Sequence, residues 1–256
     1  MSVYVFVNQK GGVGKTTSAI NIGAYLAAAG KKTLLVDFDS QANLSSGVLS
    51  AGVGARRELM GIYEALSGMV PVEQTIQNTK VPNLFVIPAS IDLSGAAVEL
   101  IGEEKRDYYL KDTLSPIKNR FDHILIDCPP SLGVLTVNGL TAADQVLIPM
   151  QCEYFALEGL TLLLETVKRI QGSLNSALAI NGIFFTMYDS RTKLAQQVVK
   201  QVGSYFRDRV FTTIIPRNVR LAEAPSHGVP ISLYDPSSTG ALAYKSLAAE
   251  VLLRAG

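Results

Sequence analysis

The sequence is poor in the residues that mark disulfide-rich and zinc-binding proteins. Its 256 residues include two cysteines, Cys128 and Cys152, and two histidines, His123 and His227. Two cysteines are too few for a disulfide framework, and they lack the paired spacing of a zinc site. We therefore interpret both cysteines as ordinary buried thiols and both histidines as structural residues.

Long hydrophobic runs are also absent, as is an N-terminal targeting signal. No apolar stretch approaches the ~18 residues that a membrane-spanning helix needs, and no basic segment precedes an apolar one at the N-terminus. We therefore expect a cytoplasmic protein. The composition, with 48% hydrophobic and 18% charged residues, is typical of a globular chain.

An excess of charge of either sign is missing, since 23 basic and 22 acidic side chains leave a formal net charge of +1. This balance excludes a protein that coats nucleic acid by bulk charge alone. The charge is unevenly distributed, because residues 186–220 hold seven basic and two acidic side chains, a local +5 that is offset by −4 elsewhere. The sequence thus predicts a basic region on a near-neutral body, and such a region favours non-specific contact with phosphates.

Short apolar runs alternate with helix-length segments along the chain. Several runs are apolar on both faces, which is typical of parallel strands that helices cover on each side. The predicted strands are Val3–Asn8, Thr33–Asp37, Leu84–Ile87, His123–Asp127, Gln145–Pro149, Ala179–Phe185 and Val210–Ile215. The predicted helices include Thr16–Ala29, Tyr154–Ile170, Thr192–Phe206 and Ser238–Arg254. This alternation predicts an α/β fold with a doubly wound, mostly parallel sheet of about seven strands and helices on both faces.

No internal repeat, low-complexity tract or proline- and serine-rich linker divides the sequence. We therefore predict a single domain over residues 1–256, with the glycine-rich stretch Gly47–Gly54 as a mobile surface loop. In a doubly wound fold, ligands bind at the carboxyl ends of the strands. The residues that follow each strand are therefore the first candidates for a site.

The strongest signal is a glycine-rich segment at residues 8–17 (NQKGGVGKTT), which follows an apolar strand and precedes a helical run. Glycines allow the backbone to curl until successive N–H groups converge on an anion, and the N-terminus of the next helix adds positive potential. We expect Lys15 to reach the β- and γ-phosphates and the Thr16 hydroxyl to bind Mg²⁺. The predicted nucleotide-binding residues of this loop are Lys10, Gly11, Gly12, Val13, Gly14, Lys15, Thr16 and Thr17.

Acidic residues end two of the predicted strands. Asp37 and Asp39 follow the run LLV, and Asp127 closes the run ILI. Mg²⁺-dependent phosphoryl transfer needs carboxylates near the γ-phosphate, because the metal keeps several waters and the attacking water has to be oriented. We expect electrostatic positioning of water and phosphate without a covalent intermediate. The predicted metal ligands are Thr16, Asp39 and Asp127, whereas for Asp37 the alternative of only fixing its loop stays open.

The loop departs from the usual spacing at Gln9, which stands where a glycine is expected, and it has an additional lysine, Lys10. The resulting pattern KGGxGK[ST] resembles the deviant Walker A motif of P-loop ATPases such as ParA, MinD and the nitrogenase iron protein. The resemblance implies that Lys10 crosses a dimer interface to the partner's nucleotide, that Asp127 holds Mg²⁺ through water and that Asp39 positions the hydrolytic water. It thus implies an ATP hydrolase with ATP and Mg²⁺ as cofactors and with Lys10, Lys15 and Asp39 as catalytic residues.

Three branches of this group differ in features that the sequence can test. An iron–sulfur reductase holds its cluster with cysteines in glycine-flanked loops, a pattern that Cys128 and Cys152 do not match. A MinD-like ATPase needs a terminal basic amphipathic helix, but the last predicted helix carries Lys245 and Arg254 against Glu250. We keep a MinD-like, membrane-associated positioning ATPase as the alternative and expect no stable membrane association.

The third branch, the ParA/Soj chromosome and plasmid partition ATPases, is similar over almost the whole chain. Its most diagnostic match is IPRNVRLAEAPS at residues 215–226, and further matches are DCPPS at 127–131, QCEYFALEG at 151–159 and TMYDSRT at 186–192. No helix-turn-helix extension precedes the phosphate-loop strand, so the chain looks like the small Soj-like form. The resemblance implies an ATP-sandwich homodimer that binds double-stranded DNA non-specifically, associates with the nucleoid and is stimulated by a ParB-like centromere-binding partner.

The resemblance also assigns the remaining site residues. Pro216 and Asn218 fall in the loop that borders the adenine in relatives. The expected DNA contacts are Arg191 and Arg220, followed by Arg217 and Lys200. Because Arg217 lies within the adenine loop, a role at either site stays open for it.

Overall fold

The computed structural model describes residues 1–49, 59–99 and 102–254. Its strands are β1 (Ser2–Phe6), β2 (Thr33–Asp37), β3 (Gln77–Asn78), β4 (Leu84–Ile87), β5 (His123–Asp127), β6 (Gln145–Gln151) and β7 (Ala179–Thr186). They form one seven-stranded sheet in the order β3-β4-β2-β5-β1-β6-β7. All neighbouring strands are parallel except β3 and β4, which are antiparallel.

Helices connect the strands. The α-helices of the described residues are α1 (Lys15–Ala28), α2 (Asn43–Val48), α3 (Ile62–Leu66), α4 (Leu93–Glu99), α5 (Tyr109–Leu114), α6 (Val134–Ala142), α7 (Ala156–Ser173), α8 (Lys193–Phe206), α9 (Val219–Glu223), α10 (Ile231–Tyr234) and α11 (Thr239–Arg254). Within the described ranges, no helix has both the length and the apolar character that crossing a bilayer requires.

Both faces of the sheet are buried because its central strands are apolar on both sides. Every residue of β2 and β5 is buried. On one face, Val3 and Val5 of β1 pack in a core with side chains of α6 and α7. On the other face, Tyr4 and Phe6 pack with α1 and α11. The predicted α/β fold is therefore confirmed, and the carboxyl ends of β1, β2 and β5 lie side by side.

Six of the seven predicted strands are present within two residues of their expected bounds, whereas the strand expected at Val210–Ile215 is wrong. This segment donates hydrogen bonds to β7 from the N–H groups of Phe211 and Ile215, both at 2.8 Å. The two N–H groups of Thr212 and Thr213 instead bind the carboxylate of Glu250 on α11, at 2.9 and 2.8 Å. Because a helix side chain takes these donors, the segment forms no continuous ladder.

The seventh strand of the sheet is β3, which no sequence signal indicated. Two residues, Gln77 and Asn78, pair with Val86 and Phe85 of β4. A pattern of alternation needs at least four residues to be recognised, so a strand of this length is invisible in the sequence. This strand adds an antiparallel edge strand to an otherwise parallel sheet.

The glycine-rich stretch Gly47–Gly54 begins inside a helix. Gly47 and Val48 are buried at the end of α2, and a Cβ atom on Gly47 would lie 2.6 Å from Ile20 Cδ1 of α1. The expected surface loop is therefore wrong for these two residues, because α2 packs directly on α1. Residues 50–54 lie outside the described residues.

Candidate functional site

The glycine-rich loop joins the end of β1 to the start of α1. Gly12 and Gly14 have φ angles of +74° and +87°, the left-handed region that glycine adopts without steric cost. At Gly12, no atom other than those of its chain neighbours lies within 4 Å of where a Cβ would be. A side chain would therefore have room there, and the positive φ angle is what requires glycine. The loop therefore has the curl that brings N–H groups together at the N-terminus of a helix.

Lys15 is the first residue of α1, and its side chain folds back over the loop. Its Nζ lies 3.3 Å from the carbonyl oxygen of Asn8 and 3.4 Å from that of Lys10. Burial lowers the pKa of Lys15, and the nearby carboxylate of Asp127 opposes this shift. The ammonium group is thus held at the loop by weak, easily exchanged contacts.

Thr16 connects the loop to the end of β5. Its hydroxyl donates a 2.6 Å hydrogen bond to Oδ2 of Asp127. The other oxygen, Oδ1, is buried and has no hydrogen-bond partner among the described residues. Burial and then the charge of Asp37 raise the pKa of Asp127 to about 8. A hydroxyl and a buried, unsatisfied carboxylate oxygen fit the oxygen ligands that Mg²⁺ prefers.

Asp37 has a different environment from Asp127, although the two are paired in register across β2 and β5. The carboxylate of Asp37 accepts hydrogen bonds from the N–H and the hydroxyl of Ser45, at 2.8 and 2.6 Å, and from the N–H of Asp39 at 3.3 Å. Burial raises the pKa of Asp37 to about 6, and these hydrogen bonds oppose the shift. Its contacts support the alternative left open by the sequence, that Asp37 fixes its loop.

Asp39 lies half-buried on the wall of the cleft above the glycine-rich loop. Its Oδ1 accepts a 3.0 Å hydrogen bond from the N–H of Gln41. The cleft has a volume of about 590 Å³. It is lined by Gly11, Gly12, Gly14, Lys15, Thr16, Thr17 and Asp39, together with residues of α1, α2 and α9. The structure therefore brings most of the predicted loop residues and one predicted acid to one cavity.

A second cleft of about 290 Å³ adjoins the first at Gly14 and Thr17 and is lined in part by Pro216, Arg217 and Asn218. The amide of Asn218 donates a 2.9 Å hydrogen bond to Oγ1 of Thr239. Its Oδ1 is buried and accepts no hydrogen bond from any described residue. The cleft is thus largely apolar, with one unsatisfied acceptor.

Lys10 and Val13 do not line the phosphate cleft of their own chain. The Lys10 side chain is exposed and forms an ion pair with Glu153, just beyond β6. Val13 is buried, and its carbonyl oxygen accepts a hydrogen bond from Thr186. The structure therefore places the side chains of these two residues away from the phosphate cleft.

The predicted DNA contacts are exposed but differ in their ion pairs. Arg191 is bidentate to Asp189, with Nε and Nη2 at 2.9 and 2.6 Å from the two carboxylate oxygens. These hydrogen bonds, and the charge of Arg217, hold the pKa of Asp189 well below its usual range. Arg217 is further tied to this region by its N–H, which donates to the carbonyl of Tyr188 at 3.0 Å. Arg191 and Arg217 therefore lie near one carboxylate.

Arg220 and Lys200 lie on other elements. Arg220 pairs with Glu223 at 2.9 Å and with Asp235 at 3.6 Å. Lys200 lies exposed on α8, and no ion pair joins it to another described residue. Of the four candidates, Arg191 and Arg220 thus form ion pairs, whereas Arg217 and Lys200 form none with another described residue.

Three residues near the loop were missed by the sequence analysis, namely Gln151, Glu153 and Thr186. Gln151 ends β6 and Thr186 ends β7. The rule that singled out Asp127, a polar residue directly after a buried apolar run, applies equally to these two. Applying it to every strand would have found them.

Comparison with known proteins agrees with this geometry. A family model described as an AAA domain matches residues 1–180. The chromosome-partitioning ATPase Soj of Treponema pallidum is 66% identical over 98% of this chain and 97% of its own length.

Two solved structures share the fold. The putative plasmid partition protein of Borrelia burgdorferi B31, bound to AMPPNP, is 28% identical with a TM-score of 0.84 and covers 100% of this chain and 99% of its own. Cobyrinic acid a,c-diamide synthase of Mycobacterium smegmatis, with a bound ATP analog and magnesium, is 36% identical with a TM-score of 0.84 over 98% and 94% of the two chains.

These relatives confirm the predicted ATP hydrolase and its use of ATP and Mg²⁺ at the level of the family. The deviant loop of residues 10–16, the Thr16–Asp127 contact and similarity over nearly the full length agree with one another. The chain belongs to the Soj/ParA family of chromosome-partitioning ATPases.

Proposed function

We propose that residues 1–256 act as one P-loop ATPase domain that dimerises with ATP, binds double-stranded DNA non-specifically and releases it after hydrolysis. The observation that carries this proposal is the contact between Thr16 and Asp127 beneath a curled glycine loop. A hydroxyl and a carboxylate joined at the end of a central strand form the metal-binding half of a P-loop site. The rest of the proposal builds on that site.

The first cleft would hold the phosphates of the nucleotide, and the adjoining second cleft would hold its base. Lys15 and the loop N–H groups would hold the phosphates, and Thr16 and Asp127 would hold Mg²⁺, which neutralises phosphate charge when bound. Asp39, on the wall of the phosphate cleft, would orient the attacking water. In the second cleft, the unsatisfied Oδ1 of Asn218 is an acceptor suited to the amino group of adenine.

Lys10 supports the dimer. Its ammonium group points away from its own phosphate cleft and pairs with Glu153 at the surface. A lysine in this position is available to the nucleotide of a second subunit, as the family resemblance implies. Exchange of the exposed Glu153 pair for a phosphate costs little, because such surface pairs contribute about 0–1 kcal/mol.

DNA binding would use Arg191, Lys200, Arg217 and Arg220. All four are exposed, and they belong to the segment with a local charge of +5. Two copies in a dimer double the number of phosphate contacts, so that dimerisation switches binding on. Association with the nucleoid and stimulation of hydrolysis by a ParB-like partner complete the cycle that moves chromosomal or plasmid origins.

DNA retention by the wild type with ATP, with ADP and without nucleotide tests this function. We expect retention with ATP alone and loss of retention in Lys15→Ala, which removes the phosphate-binding ammonium. Equal retention in all three nucleotide states would contradict the switch. Wild-type nucleotide affinity in Lys15→Ala would contradict the loop assignment.

Sedimentation with liposomes in the presence of ATP distinguishes the MinD-like alternative. In α11 the apolar side chains of Tyr244, Leu247 and Val251 are buried against the body of the protein, whereas Leu242 is exposed. Most of the apolar face of this helix therefore packs in the core. Strong lipid binding without DNA retention would overturn the partition assignment.

A further inference from the structure

Two polar side chains at the carboxyl ends of β6 and β7 contact the glycine-rich loop. Thr186 also lines the second cleft, whereas Gln151 lines neither of the two clefts. Gln151 and Thr186 are paired in register across these parallel strands. Residues paired in register project to the same face of a sheet. Both side chains therefore reach the loop from the same direction.

Each of the two donates a hydrogen bond to a carbonyl of the loop. The Thr186 hydroxyl donates to the carbonyl oxygen of Val13 at 2.7 Å, and the amide of Gln151 donates to that of Gly12 at 3.1 Å. Thr186 is 2% exposed, so water does not compete for its hydroxyl. Two consecutive carbonyls are thus both turned towards the β6–β7 edge.

The orientation of these carbonyls fixes the adjacent N–H groups. In a planar trans peptide, the C=O of one residue and the N–H of the next point in opposite directions. Holding the carbonyls of Gly12 and Val13 on the outside therefore directs the N–H groups of Val13 and Gly14 to the concave side of the loop. That is the side on which N–H groups converge on an anion.

Such a constraint is needed because glycine leaves the loop free to change. Gly12 and Gly14 can rotate to either sign of φ at little cost, so their peptides can flip and present carbonyl oxygens to a phosphate. A carbonyl oxygen and a phosphate repel each other. Without external contacts, the loop would therefore spend part of its time in a form that does not bind the anion.

We propose that Gln151 and Thr186 form a carbonyl clamp, a pair of positioning residues that hold the phosphate loop in its anion-binding conformation. The proposal rests on the proposed nucleotide site and adds to it two residues that touch the loop's carbonyls. Gln151 extends the clamp to Met187, because its amide also contacts the Met187 sulfur. Met187 lines both clefts, so the clamp joins the loop to the wall between phosphate and base.

The test uses variants that remove one donor with little change of shape. Thr186→Val and Gln151→Met lose their hydrogen bonds to the loop, whereas Thr186→Ser keeps the hydroxyl. Thr141→Val is the matched control, because the Thr141 hydroxyl is buried in α6 with no hydrogen-bond partner in the described chain. Affinity for Mg–ADP, competition by pyrophosphate and by adenosine, and the thermal midpoint without ligand are measured for each.

We expect Thr186→Val to weaken binding of Mg–ADP and pyrophosphate about tenfold, the effect of losing one buried hydrogen bond. Gln151→Met removes a solvent-exposed hydrogen bond, and we expect it to weaken both about threefold. Competition by adenosine stays unchanged in Gln151→Met, because Gln151 lines neither cleft and adenosine has no phosphate for the loop to bind. Thr186 lines the second cleft, so adenosine competition is the criterion for Gln151→Met, and comparison with Thr186→Ser is the criterion for Thr186→Val. Thr186→Ser recovers the affinity, and Thr141→Val keeps it. A merely structural role would lower the thermal midpoint and affect adenosine and pyrophosphate equally.

Lys15→Ala separates failure of the clamp from failure of the site. If Lys15→Ala loses Mg–ADP while both clamp variants bind it like Thr141→Val, the clamp is wrong and the nucleotide site stands. If Lys15→Ala also binds like the wild type, the proposed nucleotide site itself is overturned. Gln151 is half-buried, so Gln151→Met keeps the test valid if Thr186→Val fails to fold.

Discussion

Two buried carboxylates, Asp37 and Asp127, end neighbouring strands at the centre of the site, and their partners give them different roles. Asp37 accepts three hydrogen bonds, one from the N–H of Asp39 in its own loop and two from Ser45 of α2. Asp127 accepts one, from Thr16, and keeps one oxygen unsatisfied. These contacts support the proposal that Asp37, whose carboxylate is satisfied, fixes the chain after β2 and that Asp127, with an unsatisfied oxygen, binds a metal ion.

The burial of Asp127 makes stability of the ligand-free protein depend on pH. Its pKa is raised from 3.8 to about 8, so between these values the folded state binds the proton and the unfolded state does not. The contribution to stability is fully present below pH 3.8 and is lost as the pH rises through about 8. This loss amounts to about 1.4 kcal/mol of unfolding free energy for each pH unit over which only the folded form is protonated. We expect Asp127→Asn to abolish it.

Urea unfolding of the wild type and Asp127→Asn at pH 5 and pH 8, without nucleotide or Mg²⁺, measures the effect. We expect the wild type to lose more stability than the variant between the two pH values. Asp112→Asn, which changes an exposed carboxylate of α5, is the control and should follow the wild type. Parallel pH dependence of wild type and Asp127→Asn would contradict the assigned burial effect.

Arg191 shows how an ion pair can limit DNA affinity. Its guanidinium is bidentate to Asp189, so contact with a phosphate requires exchange of this partner. We expect Asp189→Asn to strengthen DNA retention of the ATP state about twofold to fivefold, the range of a surface ion pair. Asp208→Asn makes the same charge change at an exposed acid of the basic segment and is the control. Equal gains in both variants would mean that net charge alone matters.

At the scale of elements, the segment 210–215 shows where sequence patterns stop being sufficient. Its apolar residues favour a strand, yet Glu250, 37 and 38 residues further along the chain, takes two of its N–H groups. Alternation reports which side chains are buried, but it does not report which distant side chain competes for the backbone. Gln151 and Thr186 differ from Glu250 in this respect, because both end a buried strand and the strand-end rule applied to Asp127 would have indicated them.

Sequence patterns predicted the structure correctly where a strand, a turn and a helix follow one another directly in sequence. The glycine-rich loop, Thr16 and Asp127 were predicted because each directly follows a buried strand or opens a helix. Short elements were not, since β3 has two residues and carries no periodicity. Element boundaries and site residues could thus be predicted where neighbouring residues in sequence determine them. They could not be predicted where residues of a distant segment determine them.

The Glu250 contact is expected to anchor α11 to the sheet. Its carboxylate accepts from the N–H groups of Thr212 and Thr213 and from the Thr213 hydroxyl. Glu250→Ala leaves these donors unpaired, and we expect the free energy of unfolding to fall by about 2–3 kcal/mol, since hydrogen bonds to charged groups are worth about 1.5–3 kcal/mol. Urea unfolding measures this decrease, with Glu165→Ala, at an exposed position of α7, as the control. A loss no larger than that of the control would contradict the anchor.

At the scale of the whole molecule, a basic segment on a near-neutral body predicts that the proposed DNA binding is sensitive to salt. The four candidate contacts carry the charge that phosphates would neutralise, while the rest of the chain has a charge of −4 outside residues 186–220. Weak affinity per subunit would suit the proposed release of DNA after hydrolysis. In the proposed dimer, twice the number of phosphate contacts would raise the affinity, while each separated subunit would still dissociate quickly.

Salt titration of DNA retention in the ATP state tests this balance. Because each contacted phosphate contributes about 0.9 to the slope of log affinity against log salt, we expect Lys200→Glu to reduce the slope by about 1–2 per dimer. Lys80→Glu, an exposed lysine outside the basic segment, changes net charge equally and should leave the slope near that of the wild type. A common slope for both variants would show that Lys200 touches no phosphate.

Both lateral margins of the sheet end in short or irregular segments. On one side, β3 runs antiparallel to β4, and on the other, the Glu250-bound segment lies along β7 with two hydrogen bonds to it. An exposed parallel strand invites another chain to add a strand, and that process has no natural end. In the part of the chain that the structure describes, neither margin offers a long regular strand, so the sheet is a poor template for fibre growth. The proposed dimer would instead pair two copies through the faces at the carboxyl ends of the strands, where association stops at two.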